Sequence, residues 1–266
     1  MQALSQLPLE VARSINYVFA DIDDTITTEG RLSAASYSAI EQLSEAGIQV
    51  IPVTGRPAGW CDLIARFWPV AGVVGENGAF YYAYQHQARS MLRVFAATDQ
   101  EREQNRIKLA RVRDQILAEV PGAAVSADQN FRDTDLAIDF CEDVAPLADQ
   151  DVLRIKAIFE AAGAVAKISS IHVNGWFGEH DKLTMTQRFC RDVLQVELDD
   201  LMDKAIFVGD SPNDAPMFAR FKYAFGVANV KDFKTMDAFP KWVAEGHGGE
   251  GFVEIAQRLL TARGSS

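Results

Sequence analysis

The sequence predicts an α/β fold: a doubly wound parallel-sheet core interrupted by an inserted α+β unit. Three observations carry this. Short apolar runs without polar alternation recur at residues 17–20, 48–53, 70–74, 205–208 and 223–227, the pattern of strands buried on both faces. Each run is followed by a turn and then a segment of helical spacing, the alternation that builds a parallel sheet. Between about Ala83 and Gly178 the rhythm breaks, and the insert is expected there.

The elements follow in order. Ser33 is placed to cap a helix running to about Ala46, with Tyr37, Ile40 and Leu43 on one stripe and Gly47 ending it. Pro57 suits the start of the next helix. Within the insert, 89–95 reads as a strand and 100–119 as a long, charged helix. Residues 133–140 read as a half-exposed strand with Leu136, Ile138 and Phe140 on one side, and 149–162 as a helix. Residues 164–173 read as one or two strands around Ser169-Ser170. Further helices are expected over 182–194 and 214–221, and Gly264-Ser265-Ser266 reads as a frayed end. The expected division is a core of residues 1–82 and 179–266 with an insert over 83–178.

Composition narrows the function. Of the 266 residues, 48% are apolar and 24% charged, ordinary globular usage that excludes a disordered chain. The net charge of −11 argues against nucleic acid or an anionic membrane surface as partner. A small anionic substrate stays open, because local cations and a metal reverse the potential inside one cleft. Cys61, Cys141 and Cys190 are odd in number and widely spaced, so neither a disulfide framework nor a zinc site is indicated. They read as reduced thiols of a cytoplasmic protein. There is no basic patch followed by an apolar run at the N-terminus, so no signal peptide is expected. No stretch approaches the roughly 20 apolar residues of a membrane span.

Four clusters carry chemistry. Asp21-Ile22-Asp23-Asp24-Thr25 follows the first buried run directly. Ligands bind beyond the carboxyl ends of strands in such sheets, and crowded carboxylates there call for a hard cation such as Mg²⁺. Val53-Thr54-Gly55-Arg56 closes the second run and offers a hydroxyl and backbone N–H groups to a phosphate. Lys182 opens a helix after the insert and supplies a single cation. Gly209-Asp210-Ser211-Pro212-Asn213-Asp214 brings further carboxylates to another strand end. Each has a plainer meaning taken singly: a solvated turn, a capped helix, a surface lysine. Their joint order decides.

In that order the chain resembles the haloacid dehalogenase superfamily. Its four signature motifs match Asp21-x-Asp23-x-Thr25, Thr54, Lys182 and Gly209-Asp210-x-x-Asn213-Asp214. Gly75-Glu76-Asn77-Gly78-Ala79 is similar to a turn of the branch that holds Cof-type sugar phosphatases, sucrose-phosphate phosphatase and phosphomannomutase. That branch carries a C2-type cap between the second and third motifs, where the irregular segment falls here. Asp24 stands where the family often has Gly, and Leu183 follows Lys182 where Cof-type relatives often have Gly.

The resemblance implies a Mg²⁺-dependent phosphatase acting on a sugar phosphate or similar small metabolite. Asp21 is the implied nucleophile, forming an aspartyl-phosphate, and Asp23 the acid and base. Mg²⁺ is implied on Asp21, the Asp23 carbonyl and Asp210, with Asp214 orienting its shell or Lys182. Thr54, Gly55, Arg56, Asn77, Lys182 and Asn213 are the implied phosphate and substrate contacts, with Asn213 expected on Lys182 or the phosphate. In the insert, His172 and Asn174 alternate with apolar residues and share a sheet face that suits a polar ligand. Trp176 and Arg132 are weaker candidates. A phosphomutase using the same intermediate is the alternative, with a phosphoacceptor signalling domain and a silent binding protein behind it.

Overall fold

The structure, a computed structural model, describes residues 1–169 and 171–264. The expectations placed on Ser170, Ser265 and Ser266 lie outside the described residues. The chain begins with β1 (Gln2–Ala3) and α1 (Leu9–Ser14), then β2 (Tyr17–Ala20), α2 (Ala34–Glu45), β3 (Gln49–Pro52), α3 (Ala58–Phe67) and β4 (Val73–Gly75). A hairpin follows, β5 (Phe80–Gln85) and β6 (Ser90–Phe95). The insert supplies α4 (Asp99–Glu119), β7 (Ala124–Val125), β8 (Leu136–Asp139), α5 (Asp149–Ala161), β9 (Val165–Ile168) and β10 (His172–Trp176). The chain then returns through α6 (Lys182–Phe189), β11 (Ala205–Gly209), α7 (Ala215–Arg220), β12 (Tyr223–Gly226), β13 (Trp242–Val243) and α8 (Gly248–Arg263).

The core sheet has the order β1-β13-β12-β11-β2-β3, and every pairing is parallel. Alternation along each strand explains the apolar runs. Val18, Ala20, Val50, Ile206 and Val208 pack with Ile40, Leu43, Phe252 and Leu259 of α2 and α8. Phe19, Ile51 and Phe207 point the other way, into Met185, Phe189, Met217 and Phe218 of α6 and α7. With helices on both faces neither parity can be polar. Ser33 caps α2 by accepting the Ser36 N–H at 3.0 Å.

The cap sheet is antiparallel, ordered β7-β8-β10-β9. Leu109, Val112 and Ile116 of α4 and Ile155, Ile158 and Phe159 of α5 cover one face of it, against Leu136, Ile138, Ala166 and Val173. The opposite face carries Ala137, Asp139, His172 and Asn174, which are register partners across β8 and β10. All four residues of β8 are buried, where the sequence predicted a half-exposed strand. The second face is not solvated because it closes over the core.

Two further elements differ from expectation. The strand expected at 89–95 is present as β6 but pairs with β5 in a separate sheet, β4-β5-β6. Aromatic contacts hold it there: Phe80 lies 5.5 Å from Phe95, and Phe80 stacks on Tyr82 at 4.5 Å between ring centroids. The division expected after residue 82 thus falls inside β5. The helix expected over 182–194 is regular only to Phe189 and widens into a π turn over Cys190–Leu194.

Candidate active site

The carboxyl ends of β2, β3 and β11 meet the first turn of α6. Asp21 follows β2, Thr54 follows β3, Asp210 follows β11, and Lys182 is the first residue of α6. Asp181 fixes that helix start by a capping box with Thr184, accepting the Thr184 N–H at 2.7 Å. The turn after β4 packs directly on it. At Gly78, φ is +98° and an added Cβ would lie 1.9 Å from the Asp181 carbonyl oxygen, so glycine alone fits there.

Lys182 Nζ donates to Asp21 Oδ1 at 3.0 Å and to Asp214 Oδ1 at 2.8 Å, all three residues being buried. The other Asp214 oxygen accepts the Asp210 N–H at 3.1 Å, and Thr25 Oγ1 donates to Asp210 Oδ1 at 3.3 Å. Carboxylate oxygens of Asp21, Asp210 and Asp214 lie within 4.8 Å of one another. Burial foremost, opposed by Lys182 and reinforced by Asp214 and Asp23, pushes Asp21 up to about 7. Burial foremost, with Asp214, Asp21 and Asp24 and against Lys182, pushes Asp210 well above the usual carboxylate range. The lysine itself is raised by its two carboxylates against the effect of burial. Three buried carboxylates against one ammonium leave negative charge uncompensated, and their oxygens are the donor set of a hard divalent cation. The residues therefore fit Mg²⁺.

Asp23 points the other way, toward the cap. Arg56 donates to its Oδ1 from Nε at 2.8 Å and Nη2 at 2.7 Å. The same guanidinium lies over the Trp60 ring at 4.6 Å and reaches Glu142 at 3.6 Å and Asp128 at 3.9 Å. Glu142 is placed by Asp139 at the end of β8, whose carboxylate accepts the N–H groups of Cys141, Glu142 and Asp143 at 2.8–2.9 Å. His172 Nε2 lies 2.9 Å from Glu142, and Asn174 Nδ2 donates to Asp135 at 3.0 Å.

One cleft joins these groups. Asp21, Asp23, Gly55, Arg56, Asn77, His172, Asn174, Asp210 and Asn213, all expected from the sequence, line it. Thr54, Lys182 and Asp214 stand behind its wall. The Thr54 hydroxyl accepts the Arg56 N–H at 3.0 Å, and the Thr54 carbonyl accepts the Asn77 N–H at 3.0 Å. Asn213 Oδ1 accepts the Ser211 hydroxyl at 2.9 Å, and Lys182 is engaged by Asp21 and Asp214 rather than by Asn213. Arg132, weak from sequence, is a central cap residue of the cleft, and Ser169 also lines it. Asp128 and Glu142 were missed. Both lie in irregular loops with no periodicity or motif to mark them.

A family profile described as haloacid dehalogenase-like hydrolase matches residues 18–104, the segment holding Asp21, Asp23, Thr54 and the Glu-Asn-Gly turn. Over that third of the chain the sequence is similar to haloacid dehalogenase-like hydrolases. No curated protein matches it by sequence. Among solved structures, a Thermoplasma acidophilum protein is similar with a TM-score of 0.70 at 18% identity, over 92% of this chain and 98% of that one. The C-terminal domain of Candida albicans trehalose-6-phosphate phosphatase gives 0.70 at 12%, over 100% and 98%. Sucrose-phosphatase from Synechocystis, solved with sucrose and phosphate, gives 0.59 at 14%, over 93% and 98%. At these identities the likeness shows the shared fold, a parallel-sheet core with an antiparallel cap sheet.

Proposed function

We propose that this hydrolase is a Mg²⁺-dependent phosphatase that cleaves the phosphomonoester of a sugar or similar small metabolite through an aspartyl-phosphate on Asp21. The observation that carries the reading is Lys182 bridging Asp21 and Asp214 beside Asp210 at the strand ends. Trehalose- and sucrose-phosphate phosphatases among the structural neighbours support the ester class.

Asp21 attacks phosphorus in line with the leaving oxygen. Lys182 holds positive charge at the nucleophile, and Thr54 and Asn213 hold phosphoryl oxygens. Asp23, on the cap side of Asp21, protonates the leaving oxygen and then takes a proton from the water that opens the acyl phosphate. Its Arg56 contact gives way to the leaving group when substrate enters. Asp21, Asp210 and Asp214, with the Asp23 carbonyl, would hold Mg²⁺, which supplies charge for the phosphoryl oxygens. Asn77, Arg56, His172 and Asn174 surround the rest of the substrate. No helix among the described residues is long and apolar enough to cross a membrane. The buried thiols of Cys61 and Cys190 suit a reducing cytoplasm.

The test is phosphate release from a panel of phosphorylated sugars, nucleotides and small acids, with Mg²⁺ and with EDTA. Wild type is expected to release phosphate only with Mg²⁺. Asp21→Asn abolishes turnover and covalent phosphate, while Asp23→Asn leaves slow phosphorylation of Asp21. Small and equal losses from the two substitutions would overturn the assigned roles. Bisphosphate-dependent isomerisation without release would mark a mutase instead.

A further inference from the structure

The loop that closes β3 is held at three consecutive carbonyls. The Thr54 carbonyl accepts the Asn77 N–H at 3.0 Å, and the Arg56 carbonyl accepts the Glu76 N–H at 3.2 Å. Between them, the Gly55 carbonyl accepts Arg132 Nη1 at 3.0 Å. The outer two donors are backbone groups of the core turn after β4. The middle one is a cap side chain, so the cap reaches into this loop of the core.

Arg132 is fixed where it can hold that carbonyl. Asp128 takes Nε and Nη2 on its two oxygens, at 2.9 and 3.0 Å. Asp135 takes Nη1 at 3.0 and 3.1 Å. The side chains of Arg132, Asp128 and Asp135 are 1%, 8% and 0% exposed. A two-pronged pair of this kind sets the plane of the guanidinium. Asp135 is itself held by the Asn174 amide at 3.0 Å and, through its own N–H, by Glu76 at 3.2 Å. Nη1 carries two hydrogens; one serves Asp135 and the other Gly55.

The Gly55 carbonyl and the Arg56 N–H belong to one peptide unit. That N–H donates to the Thr54 hydroxyl at 3.0 Å, and Thr54 is fully buried. A hydroxyl that accepts there keeps its own proton to give, and no acceptor among the described residues takes it. A cation on the carbonyl side of a peptide strengthens the hydrogen bond on its N–H side. The contacts therefore run from the cap guanidinium, through one peptide, to the hydroxyl that holds a phosphoryl oxygen in the phosphatase reading.

We infer that Arg132 is a positioning residue of the phosphate site: from the cap it fixes the 55–56 peptide, and through that peptide it aims the Thr54 hydroxyl proton at the phosphoryl group. The inference rests on the phosphatase reading for what Thr54 holds. It places Arg132 at the phosphoryl end, which every ester shares, rather than at the leaving group.

A double-variant cycle tests it. Wild type, Arg132→Lys, Thr54→Val and the pair are assayed with Mg²⁺ on p-nitrophenyl phosphate and glucose 6-phosphate. Lysine keeps a charge beside Asp128 and Asp135 but lacks the planar fork. Arg132→Lys is expected to lower kcat about tenfold or more, by the same factor on both esters, with KM little changed. In the Thr54→Val background the same replacement should cost about twofold or less. Losses that multiply in the pair, or a loss confined to one ester, would overturn the inference. Asp128→Asn breaks the two-pronged pair and keeps the arginine; it carries the same expectations and takes the place of Arg132→Lys should that variant not fold. Calorimetric binding of orthovanadate with Mg²⁺, a five-coordinate mimic of the transferring group, runs the cycle without turnover. Vanadate bound more weakly by Arg132→Lys and no more weakly still by the pair, with no ester cleaved by wild type, defeats the phosphatase reading alone. Vanadate bound equally by wild type and Arg132→Lys defeats the inference alone, and no binding to wild type defeats both.

Discussion

The Glu76 carboxylate accepts the backbone N–H of Thr134 at 2.7 Å, tying the core turn after β4 to the cap loop before β8. The same two oxygens accept the N–H groups of Asp133 at 2.9 Å, Asp135 at 3.2 Å and Ala58 at 2.9 Å, and the Thr134 hydroxyl. Glu76 is fully buried, and burial together with Asp135 pushes it up to about 7. One core side chain therefore positions the loop that carries Arg132 into the cleft.

Replacing that acceptor leaves several buried N–H groups unsatisfied, at about 1–3 kcal/mol each. Glu76→Ala is expected to cost about 3 kcal/mol or more in urea unfolding. Its amides at 133–135 should exchange with solvent faster than those of the core strands. Wild-type exchange rates in that loop would show that Glu76 does not hold the cap.

If the carboxylates around Lys182 hold Mg²⁺ as proposed, stability depends on the metal. Binding of Mg²⁺ to the folded state alone raises stability by about 2.7 kcal/mol at a hundredfold excess over Kd. Wild type is therefore expected to melt higher with Mg²⁺ than with EDTA. Asp210→Asn should lose that response while melting no lower in EDTA, because it removes a charge that Asp21 and Asp214 repel. An undiminished Mg²⁺ response in the variant would remove Asp210 from the ligand set.

Most of this core was legible from the sequence, and the cap side of the site was not, for a physical reason. Asp21, Thr54 and Asp210 sit at strand ends, where an apolar run stops and a polar turn begins, so position follows from pattern. Asp128 and Glu142 act from loops held by other side chains, Asp128 by Arg132 and Ser126 and Glu142 by Asp139, and no local period encodes such contacts. Placing 89–95 in the insert misses its pairing with β5, because strand pairing is a tertiary choice. Asp24 is an instructive middle case. Its φ of 53° is left-handed. Asp tolerates that region better than most residues, and here its side chain accepts the Glu29 N–H at 3.2 Å.

Lys182 is the single cation between two buried carboxylates, so its removal should affect both stability and rate. Lys182→Met leaves Asp21 and Asp214 facing each other, and the cost of breaking such a pair is about 3–5 kcal/mol when one partner goes. Phosphate release from the preferred ester should fall by roughly a hundredfold or more. Asp214→Asn added to Lys182→Met should recover stability but not rate. If the double variant is no more stable than the single one, the Lys182–Asp214 contact is not what the lysine stabilises.

His180 gives a pH dependence of definite sign. Its ring stacks on Trp176 at 5.6 Å in the segment that returns from cap to core, and its Nε2 is buried without a hydrogen-bond partner. Burial lowers it from 6.5 to about 4, with Asp181 opposing. Below pH 6.5 the unfolded chain takes up a proton that the folded chain refuses until about pH 4. The unfolded state then binds more protons, so stability is fully present above 6.5 and falls as pH falls through that window. His180→Phe keeps the stack and removes the titration. Between pH 7.5 and 5, wild type is expected to lose about 1 kcal/mol or more relative to the variant, read from urea midpoints. Comparing the two proteins cancels the shared titration of Asp21, Glu76 and Asp210. Parallel stability curves would mean that the imidazole accepts its proton as readily in the folded chain as in the unfolded one.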